Sequence, residues 1–373
     1  MKSSAPSLHI PRFPAIVFLF FFPLSIAFTQ AHAQPEAKVV TDCAGRQVMI
    51  PHTIKRIACL YAFTGHAVTL LGRGQDIVAV SNGLKRDSLL HRICPSILDA
   101  AVPKAQGAIN IEELLKTKPD ILFVSADIGT NGSEVSRLDA FTIPYMVVDF
   151  TTIQEEKKAV TVMGEALGET DKARAYVRYM DDSIEKVAQG IPAVSKKRRC
   201  RLYYSVNEAN RTTLAKDLST DWLDHTGVIN VALEKAPTLF EGKNFVSLEQ
   251  IYVWNPDIIL ANEPAARTRM ITDANWANLN AVKNDKVFQM PIGVSRWGHP
   301  GSIETPLALL WTAKTLYPDQ FEDLDMASET KRFYKIFFDY ALTDLQVKQI
   351  LSGKMLRKPK ARTGKNNHKG QKP

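Results

Sequence analysis

One unit of sequence occurs twice, and it restricts the possible folds of this chain more than any other feature. Asn110-Ile-Glu-Glu-Leu-Leu-Lys-Thr-Lys-Pro-Asp-Ile-Leu-Phe-Val124 returns later as Ser247-Leu-Glu-Gln-Ile-Tyr-Val-Trp-Asn-Pro-Asp-Ile-Ile-Leu-Ala261. Each copy opens on a residue, Asn110 or Ser247, whose side-chain oxygen can accept an unpaired backbone N–H at a helix start. Apolar residues follow at i, i+3 and i+4 (Ile111, Leu114, Leu115; Leu248, Ile251, Tyr252), one face of a short helix. Pro119 and Pro256 end that helix, because proline disfavours the helical conformation in the residue before it. The apolar run after each Pro-Asp reads as a strand buried on both faces, as in a parallel sheet. Two copies of a helix-Pro-Asp-strand unit predict two similar α/β lobes. Glu112 and Glu249 occupy the same place in the two copies, near a positive helix end.

Taken in order, the chain opens with Lys2 and Arg12 before an apolar run from Ala15 to Phe28 and the small-x-small triplet Ala31-His-Ala33. This is the pattern of a cleaved signal peptide over 1–33. The competing reading, a membrane anchor, needs about 20 uninterrupted apolar residues, and Pro23 breaks the run. No cysteine follows the cleavage site, so a soluble exported protein is expected rather than a lipoprotein. The first lobe is expected over 36–168. It starts with a hairpin from Val39 to Pro51, followed by a strand at Arg56–Leu60, a helix from Gly65 to Leu71, and strands at Ile77–Val80 and Tyr145–Val148 around the first repeat. Strands alternating with helices argue for a parallel sheet. From Thr152 the period is helical, with Thr152 and Glu155 as a capping box and a break at Gly168. A helix over 169–192 carries Ala173, Tyr176, Val177, Met180, Ile184 and Val187 on one stripe. At 1.5 Å per residue its Asp171–Gln189 part would span roughly 28 Å, enough to join two lobes as a strut; packing on one lobe alone is the other possibility. The second lobe is expected over 193–352, with a strand at Arg201–Val206, a helix near Trp222, the second repeat, a strand at Lys286–Met290 and a helix from Ser302 to Leu316.

The 373 residues, 45% hydrophobic, suffice for two cores. The net charge of +8 is carried by the tail over 353–373, which has lysines and arginines, no acid and almost nothing apolar. That tail is expected to be disordered, and the body is near neutral, with no nucleic-acid footprint. Cys43, Cys59, Cys94 and Cys200 could pair in an oxidising compartment in three ways; Cys59 with Cys94 is the preferred pair, beside the equal possibility of free thiols. Their spacing matches no zinc motif.

The distinctive unrepeated stretch is Gly293-Val-Ser-Arg-Trp-Gly-His-Pro-Gly-Ser-Ile-Glu-Thr-Pro306. It lies after a strand and before a helix, where α/β sheets place ligands. Trp297 and His299 are expected to be held outward as an aromatic platform and an imidazole, with Arg296 beside them; the alternative is a structural loop with Trp297 packed inward. Strand ends of the first lobe bring Tyr61, Phe63, His66, Arg86 and Asp127, and those of the second bring Tyr204, Asn207 and Glu263. No Gly-x-Ser-x-Gly elbow, His-Glu-x-x-His, phosphate loop or Gly-x-Gly-x-x-Gly is present, so no catalytic residue and no cofactor are assigned. No multi-histidine metal site is evident, His299 being the one possible metal ligand.

From Val39 to Leu351 the chain resembles the substrate-binding proteins of ABC importers for iron-siderophore and cobalamin-type chelates. The resemblance rests on Thr41-Asp-Cys-Ala-Gly-Arg46 with Pro51, Arg56 and Ile57, on the two repeats and the long helix, and on Arg296-Trp-Gly-His-Pro-Gly-Ser302 leading into Leu316-Tyr-Pro318. It implies two α/β lobes with parallel-type sheets joined by one long helix, and a ligand in the cleft between them. It further implies a non-enzymatic, monomeric periplasmic receptor that hands a metal chelate, iron(III)-siderophore first, to a permease and its ATPase. Cobalamin or haem is the alternative ligand, and an exported enzyme or a sensor the alternative class. The family's paired surface glutamates, which meet the permease, match Glu112 and Glu249. Cys43 departs from the family pattern.

Overall fold

The computed structural model describes residues 37–105, 108–191, 199–213, 215–234, 238–240 and 243–354. The expected signal peptide and the tail from residue 355 lie outside these residues.

Ala37–Thr41 and Gln47–Pro51 pair as an antiparallel hairpin. The buried Asp42 carboxylate is the reason for the Thr41–Arg46 motif. It accepts from the Ala44 and Arg46 backbone N–H groups (3.0 and 2.9 Å), from the Arg46 guanidinium (2.7 Å to Nη2) and from Val147 N (3.0 Å). One acid therefore closes the turn and fastens it to a strand of the first sheet.

The first lobe contains strand β1 (Ile57–Cys59), helix α1 (Ala62–Leu70), β2 (Ile77–Val80), α2 (Ile111–Lys116), β3 (Ile121–Ser125) and β4 (Tyr145–Val148). Its sheet has the order β2-β1-β3-β4, all parallel. Helices α3 (Ile153–Leu167) and α4 (Thr170–Gly190) follow, separated by Gly168 in the left-handed conformation at φ 75°. The second lobe contains β5 (Arg201–Ser205), α5 (Leu218–Asp224), β6 (Ile229–Asn230), α6 (Leu248–Trp254), β7 (Ile258–Ala261), α7 (Pro264–Thr272), β8 (Val287–Gln289) and α8 (Thr305–Leu316). Its order, β6-β5-β7-β8, is again all parallel and repeats the first.

The two repeats thus hold the same station, a helix feeding the third strand of each sheet. Asn110 accepts from Glu113 N and Ser247 from Gln250 N, both at 3.2 Å, the capping that their side chains predict. The Pro-Asp step has a role that periodicity does not reveal. Asp120 Oδ2 accepts from Lys55 N (2.7 Å) and Arg56 N (2.9 Å), and Asp257 Oδ2 accepts from Arg201 N (3.0 Å). Arg56 and Arg201 in turn donate to carbonyls at the ends of the repeat helices, Thr117 O at 2.7 Å and Trp254 O at 3.2 Å. Each lobe joins its repeat to its first strand by the same exchange.

Alternate strand residues serve different cores. Leu122, Val124 and Val147 of the first sheet, and Tyr203, Ile259 and Ala261 of the second, face the helices of their own lobes. Phe123 of β3, Leu202 and Tyr204 of β5, Tyr176 and Met180 of α4 and Leu307 of α8 belong to one continuous core. Helix α4 packs on α3 and α8, so it lies within the material joining the lobes. Two further helices, α9 (Met326–Phe338) and α10 (Asp344–Leu351), close this core with Phe333, Tyr334, Phe337 and Val347. All four cysteines are free, so Cys59 is not paired with Cys94. Cys94 Sγ lies 3.1 Å from Ser96 Oγ, and burial pushes the Cys59 thiol up to about 12.

Candidate ligand-binding cleft

The loop from Gly293 to Glu304 leaves β8 and runs into α8. Its tip is held by one carbonyl: Gly298 O accepts from Tyr204 Oη (2.8 Å), Ser219 Oγ (2.8 Å) and Trp222 Nε1 (3.1 Å). Gly298 has φ +73°, and a Cβ there would lie 2.5 Å from the Trp222 ring. Gly298→Ala should therefore cost about 2–4 kcal/mol, combining the left-handed penalty with overpacking. A lowered denaturation midpoint would show it; an unchanged midpoint would mean that the tip is not pinned as described.

With its tip fixed, the loop sorts its own side chains. Trp297 turns inward: its side chain is fully buried in the shared core, and its backbone N–H donates to Pro291 O at 3.1 Å. The expectation of an outward aromatic platform is thus corrected. A ring of that size has more to gain in the core than at a cleft wall. Arg296 and His299 remain on the other side. Arg296 Nη1 is 2.5 Å from Glu263 Oε1 and also donates to Asn207 Oδ1. These two partners stand at the C-terminal ends of β7 and β5 and aim the guanidinium. His299 Nδ1 accepts from Gly301 N at 3.4 Å, leaving Nε2 as the N–H of the neutral ring.

Across from this loop, Tyr61 and His66 lie at the end of β1 and on α1. The two sides enclose a cavity of about 160 Å³ lined by Tyr61, Ala62, His66, Val294, Ser295, Arg296, His299 and Gly301. The polar side chains of that lining are donors or imidazoles, and no carboxylate is among them. Burial first, and then the charges of Asp149, Glu156 and other acids, hold the Tyr61 phenol well above its usual range, so it remains a donor. The His66 imidazole is buried, and neither nitrogen has a hydrogen-bond partner. Its Nε2 stands 3.5 Å from Asp87 Oδ2, an ion-pair distance without hydrogen-bond geometry. Unsatisfied buried nitrogen is costly, and a polar solute in the cavity would relieve it.

Of the residues singled out in the sequence, Tyr61, His66, Arg296 and His299 come together, and Asn207 and Glu263 act on the cavity through Arg296. The others do not line it. Phe63 is fully buried, its ring 4.4 Å from that of Phe150. Tyr204 is buried and used on Gly298. Arg86 is half-buried, next to Asp87 in the chain, and does not line the cavity. Asp127 is exposed, accepts from Ser125 and lies 3.7 Å from Lys104 Nζ. Ser295 and Asp87 are additions. Their only sequence signal is adjacency to Arg296 and Arg86. Glu112 and Glu249 are exposed on their repeat helices.

Comparison with known proteins places this geometry. The chain is 29% identical to the molybdate-binding protein MolA of Haemophilus influenzae over 333 residues, covering 81% of this chain and 91% of that protein. The solved structure of MolA bound to molybdate superposes with a TM-score of 0.73 at 25% identity, covering 82% of this chain and 99% of that one. A periplasmic solute-binding protein from Veillonella parvula gives a TM-score of 0.72 at 26% identity, with 85% and 97% coverage. The family described as periplasmic binding protein matches residues 57–292, which take in both parallel sheets and the helix between them. The chain belongs to the periplasmic binding protein family.

Proposed function

We propose that this protein is the solute receptor of an ABC importer, and that its solute is a small oxyanion of the molybdate type. The observation that carries the choice is the cavity lining, with Tyr61, His66, Ser295, Arg296 and His299 converging on about 160 Å³ without a carboxylate. Such donors suit an anion, and a guanidinium suits oxyanion geometry. Pockets for drug-sized ligands run from about 300 Å³ upward, so an iron-siderophore, cobalamin or haem would need a wider cleft. The relative that binds molybdate supports the smaller solute. A metal chelate is the second reading, favoured by two imidazoles, His66 and His299, facing the cavity from opposite lobes. In either case the protein binds and delivers rather than transforms, and works as a monomer in the periplasm.

Titration calorimetry decides between the readings. Dialysed protein should take up molybdate with measurable heat and remain silent toward ferric siderophores, cobalamin and haem. Binding of a chelate without molybdate would overturn the oxyanion.

Glu112 and Glu249 supply the delivery surface in this proposal. A carboxylate two places after an N-cap gains from the helix dipole, but that benefit does not require an exposed glutamate at the same station of both lobes. Two separated carboxylates can engage arginines on a two-fold permease and set orientation as well as attraction. The Glu112→Ala/Glu249→Ala protein should bind solute as the wild type does. Uptake by the reconstituted importer should fall, and more than with either single change. Full uptake by the double variant would reduce both residues to helix-end charges.

A further inference from the structure

We infer that Glu156 is a positioning residue, a buried carboxyl that holds its proton and, through Tyr176, fixes the loop that presents Arg296 and His299. The inference rests on the reading of this cleft as a solute site.

The geometry is a matter of counting protons. Glu156 on α3 and Tyr176 on α4 are both fully buried. Tyr176 Oη lies 2.7 Å from Glu156 Oε1 and 3.0 Å from Ile303 O, at the end of the site loop. A phenol has one hydrogen, and both neighbours are acceptors if Glu156 is ionised. Both contacts are satisfied when the carboxyl donates to Tyr176 and Tyr176 donates to Ile303. The titratable groups facing Glu156 are Tyr176, Asp221 on α5 and Tyr61 at the end of β1, with Glu304 beyond Tyr176. All are acids, and Thr305 beside the carboxyl is neutral, so the surroundings offer no positive charge. Burial accordingly pushes Glu156 up to about 8.

The second buried acid of the loop makes the contrast. Glu304 receives Tyr334 Oη (2.6 Å), Ser295 N (2.7 Å) and Ser295 Oγ (2.9 Å). Each of these can donate, so no acceptor need face an acceptor at Glu304, although burial pushes its carboxyl up as well. The loop is therefore tied at Ser295 by an acid fed with donors, and at Ile303 by an acid that must itself donate. Arg296 and His299 stand between the ties. Loss of the Glu156 proton would set a bare charge against Tyr176, take the phenol hydrogen away from Ile303 and release one end of the loop.

The test compares wild type with Glu156→Gln, whose amide donates to Tyr176 at every pH, and with Tyr176→Phe, which lacks the link. Two measurements run across pH from about 6 to 10: amide hydrogen exchange of 295–304 in the ligand-free protein, and molybdate affinity. In wild type, protection of the loop should fall and the molybdate Kd should rise by up to about tenfold per pH unit above the Glu156 titration, because only the protonated fraction binds. Glu156→Gln should lose this transition in both measurements. Tyr176→Phe should exchange the loop rapidly at neutral pH. Identical exchange profiles for wild type and Glu156→Gln would overturn the inference. If molybdate binds neither protein, the oxyanion reading fails while the exchange profiles still decide the role of Glu156. Should Glu156→Gln not fold, the wild-type infrared band of a protonated carboxyl, present at neutral pH and lost in alkali, takes its place; its absence at neutral pH would refute the proton.

Discussion

Trp297→Ala is expected to destabilise the protein by about 3–5 kcal/mol, the range for removing a large aromatic from a packed core. The indole is fully buried, in a core that runs from Phe63 of the first lobe to Leu307 of α8. It also lies beside Glu304, which ties the loop to α9 through Tyr334. Truncation would therefore open a cavity and loosen a buried carboxyl together. For a body of this size the melting temperature should fall by roughly five to eight degrees, measured by circular dichroism with and without solute. The loss should appear in both conditions. A variant with wild-type stability and abolished binding would return Trp297 to the cleft wall, against its position here.

Arg296→Ala should weaken molybdate binding by roughly a hundredfold or more, while leaving the melting temperature within a few degrees. Truncating one member of a desolvated charge pair costs about 2–5 kcal/mol at an interface, and two effects add here. The guanidinium, with 12% of its side chain exposed, disappears from the lining. Glu263, which it had neutralised, then presents a carboxylate to an incoming anion. Arg296→Lys should recover part of the affinity, because charge returns without the planar fork. Glu263→Gln should act in the opposite direction and tighten binding, since the positive charge is no longer offset. Calorimetry on the four proteins checks the series. Wild-type affinity in Arg296→Ala would remove the oxyanion from consideration.

The fold was legible because its signals are local. Pro119 and Pro256 end helices wherever they occur, Asn110 and Ser247 cap them, and the apolar runs behind them have no other stable place than a covered sheet. The Ile77–Val80 and Tyr145–Val148 strands have the bounds that the pattern assigns. The helix before Gly168 ends there for the stated reason, in a left-handed residue. Helices α9 and α10 were not assigned from the sequence, although Met326, Phe333 and Phe337 fall at helical spacing.

The cleft was legible in part, for a different reason. Position at a strand's C-terminal end identifies candidates, but the direction of each side chain is set by contacts from elsewhere in the chain. Tyr61 and Phe63 stand two residues apart at the start of α1, and only Tyr61 lines the cavity, because Phe63 packs on Phe150. Trp297 and His299 also lie two apart and divide the same way around Gly298, whose carbonyl is held by Tyr204, Ser219 and Trp222 of the second lobe. Glu156 carries no sequence signal, for its chemistry comes from burial against Tyr176 and Ile303. The sequence by itself determined the two-lobed α/β plan, through caps, prolines and apolar period acting within a few residues. Tertiary structure alone decided which polar groups line the cavity and which carboxyls are buried, because those depend on desolvation and on partners brought from distant segments.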